Sequence, residues 1–238
     1  MKGSTSVNRS FCKEASISFV FQKMYSPQGE LVAVECLSRI NHGSLSPESF
    51  FRHADTTLRE YIFMEQLALI EKHQNWFIKN NIIATVNVDD DTLSLLRQSA
   101  VRERTEQLGF IHFEVKENSS VLLDNSSFNG NELPQLSTLW LDDFGSGYAG
   151  LNAIRHYHFD YIKIDRHFLL YLMRKDSGRQ LMDALVTFLA KNNHKVIIEG
   201  VESLAHKRWL HGMDWYAIQG HYWEEVSIDQ LTQNDISA

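Results

Sequence analysis

The sequence predicts an α/β fold, a (β/α)8 barrel of the TIM type with one antiparallel strand near the N-terminus. Three observations predict it. Short β-branched or aromatic runs alternate with longer stretches of helical spacing, eight such runs occur, and nearly every run ends on a polar or charged residue. The runs are Ile17–Gln22, Leu31–Glu35, Ile82–Asn87, Phe110–Glu114, Leu136–Asp142, Tyr161–Asp165, Lys195–Glu199 and Trp215–Gln219. Each is short enough for a buried strand. The first two are joined only by Ser26-Pro27-Gln28-Gly29, a turn rather than a helical crossover, so one strand should run antiparallel as part of a hairpin. Between the later runs, Glu60–Asn80, Asp91–Leu108, Ser146–His156, Ser177–Asn192 and Leu204–His211 carry helical character. Residues 1–16 form a polar N-terminal segment, and residues 17–235 a single barrel domain.

Composition narrows the function. The chain of 238 residues is 43% hydrophobic, enough for a substantial core. A net charge of −7 argues against broad attraction to DNA or RNA polymers or to an anionic membrane, so a phosphate-bearing ligand would need cations held locally. Cys12 and Cys36 are the two cysteines and make no CxxC pair, which argues against a disulfide framework or a thiolate zinc site and fits a reducing cytoplasm. Met1–Ser16 lacks the apolar stretch of a signal peptide, and no run reaches transmembrane length. The expectation is a soluble cytoplasmic protein.

The chemistry is suggested by the strand ends. Leu141-Asp142-Asp143-Phe144-Gly145-Ser146-Gly147-Tyr148 places two adjacent carboxylates at the end of an apolar run, where their mutual repulsion favours a cation beside them. Glu35, Asn87, Glu114, Asp142 with Asp143, Lys163, Glu199 and Gln219 each fall at or near the end of a different run. Any one of them is explained as a strand-terminating polar residue. Closing a barrel, however, would gather all of them around one mouth as carboxylates, two amides and one ammonium. That set favours Mg²⁺ or Mn²⁺ over zinc. No HExxH occurs, and His112, His156, His158, His194 and His221 are expected at the surface or in packing. More carboxylates than a single ion needs suggest two metal ions, and with them phosphodiester hydrolysis.

Over nearly its whole length the chain resembles the EAL-type cyclic di-GMP phosphodiesterases. The family's name motif is similar to Glu35-Cys36-Leu37-Ser38-Arg39, preceded by Phe21-Gln22-Lys23. Its Asn falls on Asn87, its Glu-x-x-Glu pair on Glu114 and Glu117, and its Asp-Asp-Phe-Gly loop on Asp142 to Gly145. Lys163-Ile164-Asp165, Glu199 through Glu202, and Gln219-Gly220 continue the match. The resemblance implies a first metal on Glu35, Asn87, Glu114 and Asp142 and a second on Asp143. It implies catalytic places for Lys163, Glu199, Gln219 and Glu117, the last as a clamp on the Asp-Asp loop. It places Gln22, Leu37, Arg39, Asp165 and Glu202 toward the dinucleotide, with linear pGpG as product. It also implies a homodimer through Ala149–His156, with Leu151, Ile154 and Tyr157 as candidate contacts.

Departures lie at the edges of the motifs. Cys36 replaces the family alanine, Lys23 a proline, and His221-Tyr222-Trp223-Glu224-Glu225 the usual Lys-Pro, while Asn41–Ser49 is short and poor in proline. None removes a metal ligand. Two other classes stay open. A silent module that binds cyclic di-GMP or a partner protein would be expected to lose some of these mutually repelling carboxylates, and a glycosidase would not need Asn87 or Lys163.

Overall fold

In a computed structural model, which describes residues 16–41, 47–123, 139–147 and 150–233, eight strands pair in chain order into a closed barrel. Cys12 and the rest of residues 1–15, most of the Asn41–Ser49 segment, the start of the Leu136–Asp142 run, Tyr148 and Ala149 lie outside the described residues. The strands are β1 (Ser16–Tyr25), β2 (Leu31–Asn41), β3 (Ile83–Val88), β4 (Ile111–Lys116), β5 (Leu139–Phe144), β6 (Tyr161–Ile164), β7 (Lys195–Ile198) and β8 (Ala217–Gln219). β1 is antiparallel to both β2 and β8, and every other pairing is parallel. Its hairpin turn closes with Ser26 N–H donating to Glu30 O at 2.9 Å and Gly29, at φ 85°, donating to Ser26 O at 2.9 Å.

Period-two alternation sorts the barrel side chains into two cores. Outward residues such as Val34, Val86, Phe113, Leu141, Ile162, Ile198 and Ile218 are buried against the helices. Inward residues Met24, Ala33, Trp140, Tyr161, Ile197 and Ala217 form a separate cluster inside the barrel. Each of these, with Thr85 and His112, stands two residues below a polar side chain of the mouth, so it occupies the next layer down. Trp140 is the largest fully buried side chain, stacks on Tyr161 at 4.1 Å, and donates its indole N–H to His112 Nδ1 at 2.8 Å. The barrel therefore has a floor of packed rings.

The helices are α1 (Pro47–His53), α2 (Thr56–Lys72), α3 (Gln74–Asn80), α4 (Asp90–Leu96), α5 (Ser99–Gln107), α6 (Ser120–Leu123), α7 (Gly150–His156), α8 (Arg166–Met173), α9 (Gly178–Lys191), α10 (Leu204–Leu210) and α11 (Ile228–Gln233). The stretch Glu60–Asn80, expected as one helix, is two. His73 leaves helical geometry at φ −108°, ψ 15°, and its N–H tightens onto Ile70 O at 3.0 Å. Asp91–Leu108 likewise divides, after Asp89 has capped α4 in a reciprocal box with Thr92. Helices α1, α6, α8 and α11 were not expected from the sequence. On α7 Leu151 is 67% exposed, whereas Ile154 and the following Tyr157 pack against the core. Among the described residues no helix is long and apolar enough to cross a membrane.

Candidate active site

The inward layer above the floor is polar on every strand. β1 and β2 supply Gln22 and Glu35, β3 and β4 Asn87 and Glu114, β5 and β6 Asp142 and Lys163, and β8 Gln219, while Glu199 follows β7 directly. Parallel pairing sets the heights. Asn87 lies opposite Glu114, and Glu117 N–H reaches Asp142 O at 3.0 Å as β4 ends.

Strand alternation alone would send Asp142 and Asp143 to opposite faces. A bulge prevents this. Leu141 pairs with Ile162 and Phe144 with Ile164, so both aspartates stand opposite the single residue Lys163. Asp143 takes up the extra length in the left-handed region at φ 57°, costly for a residue with a Cβ but tolerated best by Asn and Asp. Phe144 then returns to the outer core.

Lys163 is the centre of the mouth. Its Nζ lies 3.0 Å from Glu35 Oε2, 2.6 Å from Glu114 Oε2, 3.3 Å from Asp142 Oδ1 and 2.7 Å from Glu199 Oε1, on a side chain only 1% exposed. Burial disfavours the ammonium, but the four surrounding carboxylates outweigh it and push its proton affinity well above the ordinary lysine value. The carboxylates divide. Burial also opposes ionisation of Glu35, yet Lys163 and hydrogen bonds from Gln219, Asn87 and Lys163 hold it below its usual range. The Gln219 amide donates to Glu35 Oε2 at 2.7 Å and to Gln22 Oε1 at 2.6 Å, and the Asn87 amide donates to Glu35 Oε1 at 2.6 Å. Burial, followed by the charge of Glu35, pushes Glu114 well up. Asp142 is raised chiefly by burial, and burial lifts Glu199 to about 8.

The donor set fits divalent cations. Glu114 Oε1 and Asp142 Oδ1 are buried with no hydrogen-bond donor, the Lys163 contact to Asp142 lacking hydrogen-bond geometry. A buried acceptor without a donor is costly, and a cation resolves it. Asp142, Asp143 and Glu199 also offer carboxylate oxygens within 4.8 Å of one another. Oxygen ligands of this kind suit Mg²⁺ or Mn²⁺.

Glu117 is buried under the loop that follows Asp143. Gly145 N–H donates to its Oε2 at 3.0 Å. A Cβ on Gly147 would come within 2.7 Å of Glu117 Oε1, and one on Gly150 within 2.6 Å of Oε2, so a larger residue at either position would push this carboxylate out of its place under the loop. Gly145 itself sits at φ 95°, where a side chain would also strike Phe168.

A cleft of about 810 Å³ opens above these groups, lined in part by Gln22, Leu37, Arg39 and Glu202. Arg39 is ion-paired with Glu225, and Glu202 with Arg166 at 2.8 Å. Asp165 is placed differently. Strand β6 ends at Ile164, and Asp165 caps α8, its Oδ1 accepting from Phe168 N at 2.9 Å, so it is not among the lining residues. Cys36 points into the outer core, where burial pushes its thiol up. Sequence reasoning missed Lys116, whose Nζ lies 2.7 Å from Asp143 Oδ2. Burial works against this ammonium, but Asp143 outweighs it and raises it to about 12. Its position two residues beyond Glu114 on one strand was the available signal.

The family model for the EAL domain matches residues 5–225. Over 220 residues the chain is 30% identical to the cyclic di-GMP phosphodiesterase PdeH of Escherichia coli (strain K12), covering 90% of this chain and 85% of that protein. It is 29% identical over 174 residues to the anti-FlhC(2)FlhD(4) factor YdiV of Salmonella choleraesuis (strain SC-B67), covering 71% of this chain and 73% of that protein. The crystal structure of the EAL-like domain protein YdiV gives a TM-score of 0.81 at 21% identity, over 92% of this chain and 96% of that one. The PaMucR phosphodiesterase in its c-di-GMP complex gives 0.74 at 22% identity, over 95% and 96%. At these identities the structural likenesses establish a shared barrel.

Proposed function

The chain belongs to the EAL domain family, and from that premise we propose that it is a metal-dependent phosphodiesterase that hydrolyses cyclic di-GMP to linear pGpG. The observation that carries the reading is the convergence of Glu35, Glu114, Asp142 and Glu199 on Lys163, with acceptor oxygens of Glu114 and Asp142 left without donors. The likeness to PdeH supports the substrate.

Glu35, Asn87, Glu114 and Asp142 would hold one divalent ion and Asp143 a second, Mg²⁺ or Mn²⁺, which when bound would neutralise the scissile phosphate and acidify the attacking water. Lys163 keeps the carboxylates together and offsets negative charge as the phosphorus becomes five-coordinate. Gln219 and Asn87 fix the orientation of Glu35 through the hydrogen bonds their amide groups donate to it. Glu199 stands beside Lys163 at the rim, where it can orient water. Glu117 holds the loop that carries Asp143, and Gln22, Leu37, Arg39 and Glu202 face the cleft that receives the dinucleotide. Asp165 would act on the substrate only through α8, which it caps.

A homodimer through α7 belongs to the same reading, supported by the exposed Leu151. A second reading, a partner-binding module without turnover, is favoured by the likeness to an anti-FlhC(2)FlhD(4) factor. Against it stands the retention of every costly carboxylate in the mouth. Incubation with cyclic di-GMP and Mg²⁺ or Mn²⁺, followed by separation of the nucleotides, decides between them. pGpG is expected, and intact dinucleotide in both metals with the protein folded would favour the second reading.

A further inference from the structure

Two lysines sit among the mouth carboxylates, and they are not equivalent. Lys163 is 1% exposed and enclosed by four carboxylates, so it cannot leave. Lys116, at the end of β4, is 52% exposed and reaches back to Asp143 Oδ2 at 2.7 Å. It also feels the charges of Asp142 and Glu199. Among the described residues, Asp142, Asp143 and Glu199 offer carboxylate oxygens within 4.8 Å of one another. The Lys116 ammonium therefore sits on the cluster with room for a cation, at its outer edge.

We propose that Lys116 is a built-in counter-ion of the outer cation position, held by Asp143 until a divalent ion displaces it, so that this chain fills that position only at high free metal. The inference rests on the metal-dependent reading above and adds a residue that sets its metal requirement. An ammonium and a divalent ion compete for the same carboxylate, and the tethered ammonium is always present at high local concentration. It is also displaceable. The flexible four-carbon stem and half-exposed position let Lys116 swing to solvent at modest cost. Lys163 has no such exit, but it engages Glu114 through Oε2 and leaves Oε1 without a donor, so an inner ion would not have to displace it from that carboxylate.

The test is a Mn²⁺ titration of the full chain without nucleotide, following free Mn²⁺ by electron paramagnetic resonance. The parent should bind Mn²⁺ in a tighter and a weaker step. Lys116→Met, which keeps the stem and removes the charge, should tighten the weaker step about tenfold and leave the tighter one in place. Lys116→Gln should behave like the Met variant, and Lys116→Arg, which keeps the charge, should stay weak. An unchanged or weakened outer step in both neutral variants, or equal tightening in the Arg variant, would overturn the inference alone if the parent still binds two ions and hydrolyses cyclic di-GMP. No Mn²⁺ binding in parent or variants would overturn it together with the metal-dependent reading.

Discussion

The mouth layer and the floor layer of the barrel lie two residues apart along every strand, yet they bury titratable groups in opposite ways. In the mouth, Lys163 is kept charged by Glu35, Glu114, Asp142 and Glu199. On the floor, His112 is surrounded by rings, and burial drives its proton affinity down to about 4. Its Nδ1 accepts from the Trp140 indole, so the neutral ring carries its proton on Nε2. On the floor the Trp140 indole meets His112 and the Tyr161 hydroxyl accepts from Lys195 Nζ at 3.0 Å. In the mouth, Glu114 and Asp142 keep acceptor oxygens without donors. The rings of one layer meet each other, whereas the other layer keeps unpartnered acceptors beside a group of carboxylates, which makes the mouth the candidate site.

The sharpest way to break this contrast is one substitution in each layer. Glu114→Ala should lower turnover by more than about a hundredfold, beyond what loss of an outer partner costs, because it removes a proposed metal ligand. It should leave stability unchanged or raised, since Glu114 is a buried carboxylate beside two others. Trp140→Ala should cost about 3–5 kcal/mol of stability through the cavity it leaves in the floor. Denaturant melts and initial rates for both variants check the pair, and a large stability loss in the Glu114 variant would contradict the assignment of layers.

Glu117→Ala separates ligand from support. Gly145 would lose the carboxylate that holds its N–H, freeing the loop that carries Asp143. Turnover should fall about 10- to 100-fold and recover in part as Mn²⁺ is raised, whereas the Glu114 variant should not recover. A metal titration of activity in both variants reads the difference.

His112 and most of the mouth carboxylates pull stability in opposite directions with pH. His112 is about 4 folded against an ordinary value of 6.5, so between these values the unfolded chain takes up a proton that the folded chain refuses. Its contribution is therefore complete above pH 6.5 and is lost as pH falls toward 4, by up to about 3 kcal/mol. Glu114 and Asp142 are shifted upward chiefly by burial, so falling pH favours the folded state through them, whereas Glu35, held below its usual range, works the other way. Subtracting the melts of His112→Gln from those of the parent across this range should isolate a difference that shrinks as pH falls. A flat difference would show that His112 is not buried neutral.

The smallest expected effect is at the rim. Glu225→Gln releases Arg39 from its ion pair and should shift KM for the dinucleotide by no more than about fivefold, the worth of a partly exposed pair. Comparison of KM and kcat in the two proteins checks it.

Much of this was legible from the order of residues. Strand ends gave the mouth residues because a parallel barrel gathers its C-terminal ends, and the Ser26–Gly29 turn gave the antiparallel β1. What escaped is local. Period-two reasoning cannot place Asp142 and Asp143 together, because the bulge opposite Lys163 depends on pairing with β6 and on a left-handed Asp143. The same reasoning puts Asp165 two residues above Lys163 in the mouth, but the strand has ended and the carboxylate caps α8. Lys116 shares a strand face with Glu114, but a lysine at a strand end does not by itself signal an ion pair with a carboxylate on the next strand. The divisions of the long helices at His73 and at Gln98, which is extended at φ −67°, ψ 128°, rest on single-residue dihedrals that helical spacing does not encode.

The most direct test of the central claim is product analysis in heavy-oxygen water. The parent protein, given cyclic di-GMP and Mn²⁺, should form pGpG carrying one heavy oxygen on its terminal phosphate, and Glu114→Ala under the same conditions should form none. Intact cyclic di-GMP with the folded, Mn²⁺-loaded parent, or equal turnover in the Glu114 variant, would contradict the claim that the mouth of this barrel is a phosphodiesterase site.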